Sequence, residues 1–253
     1  MSELITSLQD KVWLLAIILA LTGYLFGSIS FARIIHRMVS KAGSIGSFAE
    51  PVPHSDETFE SNLVSATLVS KKLGARFGLT VALLDMLKVA LPALAVKLLI
   101  KDEPWYLLIA ISGILGHNYP VWYGFTGGRG ESPIIGSILV INWFSLFITN
   151  GAGLVLGYIT GSVLVVRWSY HILTGVWFWF YFHNLWYVAF MVGCNFLFWF
   201  SMKNDLARFQ QLKKEKGLKF SEEDVSEFIL MGRSLGRFLD KYSLYALVKK
   251  ALA

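Results

Sequence analysis

The 253-residue chain is 55% hydrophobic and only 16% charged, with a formal net charge of +6. A soluble domain is about half apolar but about a quarter charged, so this composition excludes an ordinary soluble fold and points to a protein of several membrane spans. Excess cations in such a chain suit an anionic membrane face or an anionic substrate, not nucleic acid, and the single cysteine, Cys194, excludes an intrachain disulfide.

A helix needs about twenty apolar residues to cross a bilayer. Apolar runs at 12–35, 79–100, 105–122, 133–149, 151–166, 170–182 and 185–200 predict an all-α membrane bundle of about seven transmembrane helices, some of them short. Nine Trp and nineteen Phe suit aromatic belts at its two interfaces. The start of the chain carries Glu3 and Asp10 and is followed by no clear cleavage site, so the first run reads as a retained span. Basic residues concentrate after the first run (Arg33, Arg37, Lys41, Lys71, Lys72, Arg76), at Arg129, at Arg167 and after the last run (Lys203, Arg208, Lys213, Lys214, Lys216, Lys219). The positive-inside rule makes those connections cytoplasmic, with the N-terminus outside and the C-terminus inside. The expected organisation is a membrane domain over 1–208 and a helical tail over 209–253.

Between the first two runs lies a polar stretch, 39–77. Residues 42–55 are rich in Gly, Ser and Pro and predict irregular structure. Residues 60–73 follow, closing on Lys71, Lys72 and Gly74. In the second run Asp85 and Lys88 stand three apart on one helical face, the spacing of a simple intrahelical ion pair. Charges within a span otherwise mark a site facing protein or water, and both readings stand here.

Residues 113–136 are the candidate centre. An apolar run carries His117, Asn118 and Tyr119, breaks at Pro120, and opens into Gly127-Gly128-Arg129-Gly130 before another apolar run. Glycines let backbone N–H groups approach an anion closely. Arg129 would add a fixed cation with a planar fork for phosphate oxygens. His117 is either a donor to that anion, a support for the turn, or a packing histidine bonded to a backbone carbonyl. It can serve as a base only if an acceptor hydroxyl comes within hydrogen-bond reach.

The tail opens with Ser221 and Asp224, a capping pair. Val225, Phe228, Ile229, Leu235, Phe238, Leu239, Leu244, Leu247 and Val248 then recur at near-helical spacing, interleaved with Arg233, Arg237, Lys241, Lys249 and Lys250. This predicts an amphipathic helix for an anionic membrane face or for a protein partner. Gly232 and Gly236 should weaken or bend it.

Three stretches together resemble the bacterial integral-membrane acyl-phosphate:glycerol-3-phosphate acyltransferases of the PlsY type. Gly27-Ser-Ile-Ser-Phe31 is similar to that family's Gly-Ser-Ile-Pro-Phe. Ser61–Gly74 followed by Leu84-Asp85-Met-Leu-Lys88 is similar to its Ser-Gly-Asn-Ile-Gly-Ala-Thr-Asn segment, basic residue, Leu-Gly and Leu-Asp-x-x-Lys. Gly116-His117-Asn-Tyr-Pro120 with Phe125-Thr-Gly-Gly-Arg-Gly130 is similar to Gly-His-x-x-Pro and Phe-x-Gly-Gly-Lys-Gly. The resemblance covers about residues 12–208. Ser30 replaces the family proline, Asn62, Leu63, Ser65 and Leu68 depart from the second motif, Lys71 stands for arginine and Arg129 for lysine, and Ser201-x-x-Asn204 replaces His-x-x-Asn.

The resemblance implies transfer of an acyl chain from acyl phosphate to the 1-hydroxyl of glycerol 3-phosphate, giving lysophosphatidic acid for phospholipid synthesis. An acyl phosphate is already activated, so no covalent enzyme nucleophile is needed, and positioning with charge stabilisation suffices. It implies His117, Arg129 and Lys71 as catalytic residues, and Ser61, Thr67, Gly127, Gly128, Gly130 and Asn204 as substrate contacts. No cofactor is expected, and the scattered histidines give no metal-ligand spacing. The expected location is the inner (plasma) membrane. Two other readings remain: a non-catalytic scaffold or lipid-binding relative, and a carrier of small anions, although no inverted repeat is visible.

Overall fold

The computed structural model describes the chain apart from residues 1, 41–44, 47, 52–57, 62–63, 102–103, 216–220, 229–232 and 253. Lys41, Asn62, Leu63, Lys216, Lys219, Ile229 and Gly232, invoked above, lie outside the described residues, as does part of the 42–55 stretch. In chain order the elements are α1 (Ser2–Gly27), α2 (Phe31–Ser40), β1 (Phe48–Pro51), β2 (Thr58–Ser61), α3 (Ala66–Leu73), α4 (Ala75–Leu99), α5 (Trp105–Asn118), α6 (Glu131–Thr160), α7 (Val163–Phe182), α8 (Leu185–Glu215), α9 (Glu222–Phe228), α10 (Arg233–Tyr242) and α11 (Leu244–Ala251). Among the described residues the regular structure is helical save for the pairing of β1 with β2. Among them four segments, Lys11–Ser40, Ala75–Leu99, Glu131–Thr160 and Leu185–Ala207, are long and apolar enough to cross a membrane. Their outer faces expose Trp13, Leu21, Leu91, Phe147 and Phe196, which water would penalise and lipid tails would not.

The expected pair of spans at 133–149 and 151–166 needs correction. Asn150 does not interrupt the helix; α6 runs through it. The break falls at Asn142, whose backbone is extended (φ −157°, ψ 93°). Its Oδ1 accepts from the Ser145 N–H at 2.9 Å and its carbonyl accepts from Ser145 Oγ at 2.7 Å. This is the arrangement of a helix N-cap, so Asn142 starts a second helical arm at 143–160. Asn150 turns its amide onto Leu146 O of its own helix (2.7 Å).

The chain forms two compact units. The first gathers residues 1–48, 62–141 and 196–201. Within it α1 lies against α5 with almost nothing between their backbones. A Cβ added to Gly23 would stand 2.2 Å from Ile109 O, one on Gly27 2.0 Å from Gly113 O, and one on Gly116 2.1 Å from Tyr24 O. Gly23 and Gly27 form a Gly-x-x-x-Gly face, the small-residue ridge that lets apolar helices approach without a solvent-driven force. Elsewhere in this unit α2 and α3 close a small core of Ala32, Leu68 and Val69 with Val81 of α4. Ser65 caps α3, accepting from the Leu68 N–H.

The second unit comprises 49–61, 142–195 and 202–253. Gly153 and Gly157 of α6 repeat the same device: added Cβ atoms would meet Ser169 Oγ at 2.7 Å and Val166 Cγ2 at 2.0 Å on α7. Thr149 and Thr174 share a buried hydroxyl bond at 3.0 Å. Among the described residues the tail holds three short helices, α9, α10 and α11, the last two parted at Ser243 (φ −62°, ψ 152°). Ser221 and Asp224 form the expected capping pair, with Ser221 N–H to Asp224 Oδ2 at 2.9 Å and Asp224 N–H to Ser221 Oγ at 3.1 Å. Asp240 accepts from the Glu222 and Glu223 N–H groups. Gly236 does not bend its helix; it admits α9, since a Cβ there would stand 2.3 Å from Glu222 O. Part of the apolar stripe expected to face lipid is spent on protein: Val225 and Leu239, with Leu235 beside them, pack on Val163, Val166 and Leu164 of α7.

Glu222 Oε2 accepts from the Val163 N–H at 2.6 Å, at the first turn of α7. Burial, the largest influence, raises the Glu222 carboxyl above its ordinary value; the Val163 N–H opposes this and Asp240 adds to it. A carboxyl raised on docking binds its proton more tightly docked than undocked, so docking should strengthen as pH falls from neutral through the raised value, and that gain should vanish as pH rises again. Hydrogen-exchange protection over 222–228, corrected for intrinsic rates, is expected to increase on acidification; a decrease would show that the Val163 bond governs instead. For the first unit, Gly27→Ala should cost about 1–3 kcal/mol through backbone overpacking. Gly151→Ala, where nothing lies within 4 Å, should be neutral or slightly stabilising. Thermal unfolding in detergent compares the two.

Candidate active site

Helix α5 ends at Asn118 because Tyr119 leaves the helical region and Pro120 follows; the Tyr119 N–H closes the last turn on Leu115 O. The Tyr24 phenol hydroxyl donates to Tyr119 O at 2.8 Å, tying α1 to this corner. A single 3-10 turn (Val121–Tyr123) and two left-handed residues, Gly124 and Phe125, swing the chain back. Residues 127–130 then fold over the end of α5.

Each glycine of that turn has a steric reason. The Gly128 N–H donates to His117 O at 3.1 Å. A Cβ on Gly127 would stand 2.2 Å from His117 O, and one on Gly128 2.2 Å from His117 Nε2. Gly130 has φ +84°, and a Cβ there would stand 2.7 Å from Asn118 Oδ1. The Val64 N–H, just before α3, donates to Gly127 O at 3.0 Å. Ser201 Oγ lies 3.4 Å from Arg129 O while donating to Phe198 O at 2.7 Å, and Asn118 Nδ2 donates to Leu197 O at 3.2 Å. Thus α1, α3, α5 and the 196–201 stretch all brace one turn, whose last residue opens α6.

Beneath it sits a buried charged cluster. Lys88 Nζ donates to Asp85 Oδ1 at 2.7 Å and to Ile29 O at 2.6 Å, and lies 3.0 Å from His117 Nδ1. The ion pair expected from the three-residue spacing is present. What spacing alone could not reveal is that the ammonium also holds a carbonyl from the break between α1 and α2, and the histidine of α5. Ser28, Ser30, Asp85, Lys88, His117 and Gly128 line a polar cavity of about 10 Å³, about the room one water needs.

A second cation was missed by sequence reasoning. Arg33, on α2, donates to Ser30 Oγ at 3.2 Å and to Thr126 O at 2.8 Å, and its guanidinium lies 4.4 Å from the centre of the Tyr123 ring. The available signal was its place three residues after Ser30, where an arginine fork reaches back over a helix start.

The expected site residues separate as follows. His117, Gly127, Gly128, Arg129 and Gly130 are brought together, with Arg129 half-buried. Thr67 is half-buried in α3, and Lys71 is exposed on its last turn. The neighbouring Lys72 instead donates to Ile45 O. Ser61 ends β2 and Asn204 is exposed on α8; both belong to the second unit.

The chain matches the family model described as Glycerol-3-phosphate acyltransferase over residues 17–211, which leaves α9–α11 outside it. A glycerol-3-phosphate acyltransferase of Mycoplasma mycoides subsp. mycoides SC is 30% identical over 217 residues, covering 75% of this chain and 79% of that one. Another, from Anaeromyxobacter dehalogenans (strain 2CP-C), is 32% identical over 167 residues, covering 64% and 74%. A third, from Anaeromyxobacter sp. (strain Fw109-5), is 34% identical over 137 residues, and there the match spans only 62% of the relative. The crystal structure of PlsY (YgiH), an integral membrane glycerol 3-phosphate acyltransferase in its glycerol 3-phosphate form, superposes with a TM-score of 0.63 at 21% identity, covering 85% of this chain and 98% of that one. At that identity the likeness speaks for the fold, and the sequence matches speak for descent: the chain belongs to the glycerol-3-phosphate acyltransferase family.

Proposed function

We propose that this protein transfers an acyl chain from acyl phosphate to the 1-hydroxyl of glycerol 3-phosphate, releasing phosphate and forming lysophosphatidic acid for phospholipid synthesis. The observation that carries the reading is the glycine turn at 127–130, locked onto His117 and followed directly by α6. A helix start presents unpaired N–H groups and the positive end of the helix dipole, which suit an anion. Arg129 within the turn brings a cation to the same place. Both substrates are phosphate-bearing anions, and the acyl donor needs no further activation, so a site that orients oxyanions beside a lipid-facing bundle answers the chemistry.

In this reading Arg129 binds phosphate and steadies the developing charge, His117 supports and polarises the turn, and Lys71 supplies a further cation from α3. Ser61, Thr67, Gly127, Gly128, Gly130 and Asn204 contact substrate. The working domain is 1–208, multi-pass in the inner (plasma) membrane, with the N-terminus outside and the C-terminus cytoplasmic. The tail, 209–253, meets the membrane face or a protein partner.

A second reading, a non-catalytic relative that binds lipid or scaffolds a partner, is favoured by one observation. Leu68 and Ser65, which depart from the family's second motif, have other employment: Leu68 is buried in the α2–α3 core and Ser65 caps α3. Leu68 has no polar atom to offer a substrate, and Ser65 Oγ is held at the cap by the Leu68 N–H.

Purified protein in detergent, given acyl phosphate and glycerol 3-phosphate, should release lysophosphatidic acid; acyl-CoA and acyl-carrier protein run in parallel identify the donor. No product from any donor favours the scaffold. Arg129→Ala should lower turnover by about 100-fold or more, the scale of losing one preorganised charge partner, without changing the unfolding temperature; unaltered kinetics would remove Arg129 from the site. Gly128→Ala should abolish turnover, because its Cβ would displace the His117 ring, whereas Gly124→Ala, at an open position, should cost stability through its left-handed backbone and leave KM nearly unchanged.

A further inference from the structure

We propose that Lys88 fixes His117 in the neutral tautomer carrying its proton on Nε2, so that His117 serves the glycine turn as a hydrogen-bond donor to a substrate oxygen and never as the base. The donor role rests on the acyltransferase reading; the tautomer does not.

The hydrogen-bond donors of the ammonium fix the tautomer. A lysine ammonium has three N–H bonds and no lone pair. Around Lys88 Nζ stand three acceptors: Ile29 O at 2.6 Å, Asp85 Oδ1 at 2.7 Å and His117 Nδ1 at 3.0 Å. Every N–H is used, and the bond to the ring requires Nδ1 to present its lone pair. Asp85 Oδ1 lies 3.6 Å from Nδ1, too far to hold a proton there in competition. A neutral imidazole whose Nδ1 accepts carries its hydrogen on Nε2. Nε2 lies against Gly128, and both residues line the small polar cavity.

Two consequences follow for the chemistry. A base must have an available lone pair, and the one on Nδ1 faces Lys88, away from the turn. A second proton on the ring would have to go there, displacing a Lys88 bond and setting two cations side by side in a buried place. The ring is also held from behind, since His117 O takes the Gly128 N–H. What remains is a fixed Nε2–H at the turn, available to stabilise negative charge on a phosphate or acyl oxygen. Lys88 is then a positioning residue: it touches no substrate and acts through His117.

The test is nitrogen-15 spectroscopy of the full chain, histidine-labelled, in phosphatidylcholine nanodiscs, with the His117 signal assigned by loss in His117→Gln. The expected pattern is a protonated Nε2 and an unprotonated Nδ1. Lys88→Met should move the proton to Nδ1, facing Asp85, and lower kcat by about 100-fold with little change in KM. Lys88→Arg, also a donor without a lone pair, should retain the Nε2–H tautomer and recover part of kcat. Saturating glycerol 3-phosphate should shift the Nε2 proton downfield. A protonated Nδ1 in the unaltered protein, or an unchanged Nε2–H in Lys88→Met, overturns the assignment of Lys88; an Nε2 signal indifferent to glycerol 3-phosphate in a protein that turns over overturns the donor role. Should Lys88→Met fail to fold, the spectrum of the unaltered protein still decides the tautomer. Absence of turnover with every acyl donor would remove the acyltransferase reading alone, because the tautomer is read without substrate.

Discussion

A buried ammonium must be fully hydrogen-bonded, and the first unit is arranged around meeting that demand at Lys88. Removing one partner from such a buried charge costs about 3–5 kcal/mol, so the partners must arrive together. They come from three places far apart in sequence: the break after α1 gives Ile29 O, α4 gives Asp85, and α5 gives His117. The carbonyl of Ile29 is available because Ile29 lies in the break between the end of α1 at Gly27 and the start of α2 at Phe31, outside both helical ladders. The helix break, the ion pair and the histidine thus satisfy one another. Close contact of α1 with α5 is what brings them into range, and Gly27 against Gly113 sets how close that is.

The glycines do two different jobs with one property. Along Gly23–Gly27 and again along Gly153–Gly157, missing Cβ atoms let helices meet backbone to backbone or backbone to side chain. At Gly127 and Gly128 the same absence lets a loop settle onto the His117 carbonyl and ring. At Gly130 alone among the turn's glycines the backbone conformation matters as well, since φ is +84°. In the second unit, Gly161 (φ +68°), between α6 and α7, and Gly236 admit Ser243 and the start of α9. A sequence rich in apolar residues would otherwise specify contact poorly, because lipid is as good a solvent for leucine as another helix is.

Much of this was legible in the residues, and the failures have physical reasons. The Asp85–Lys88 pair follows from helical spacing, and the Ser221–Asp224 cap follows from local hydrogen-bond chemistry; both are there. The Gly-x-x-x-Gly faces were equally legible and passed unused. The run boundaries at 133–149 and 151–166 put the break at Asn150, whereas the backbone opens at Asn142: either amide can cap a helix or bond back into it, and only the surroundings select. The tail's apolar periodicity announced a buried face without saying what buries it, and α7 takes Val225 and Leu239. The link from Lys88 to His117 joins residues 29 apart and depends on how α4 meets α5, which local patterns do not contain. Arg33 was read only as a topology signal because its partner, Thr126 O, is 93 residues away.

The electrostatics of the turn sort its cations by role. Lys88 and Asp85 cancel, so the buried cluster adds little net field however strong its internal bonds. Arg33 is engaged with Ser30, Thr126 O and the Tyr123 ring, all part of the scaffold that shapes the loop. Lys72 is committed to Ile45 O. In the proposed reading the attraction for an anion at 127–130 is assigned to Arg129, with the start of α6 beside it. That places the lysine-to-arginine departure at the position where the difference counts most. A lysine there would offer a mobile point charge; an arginine offers a planar fork whose geometry must match the phosphate it meets. The substitution keeps the charge and narrows the set of poses that can use it.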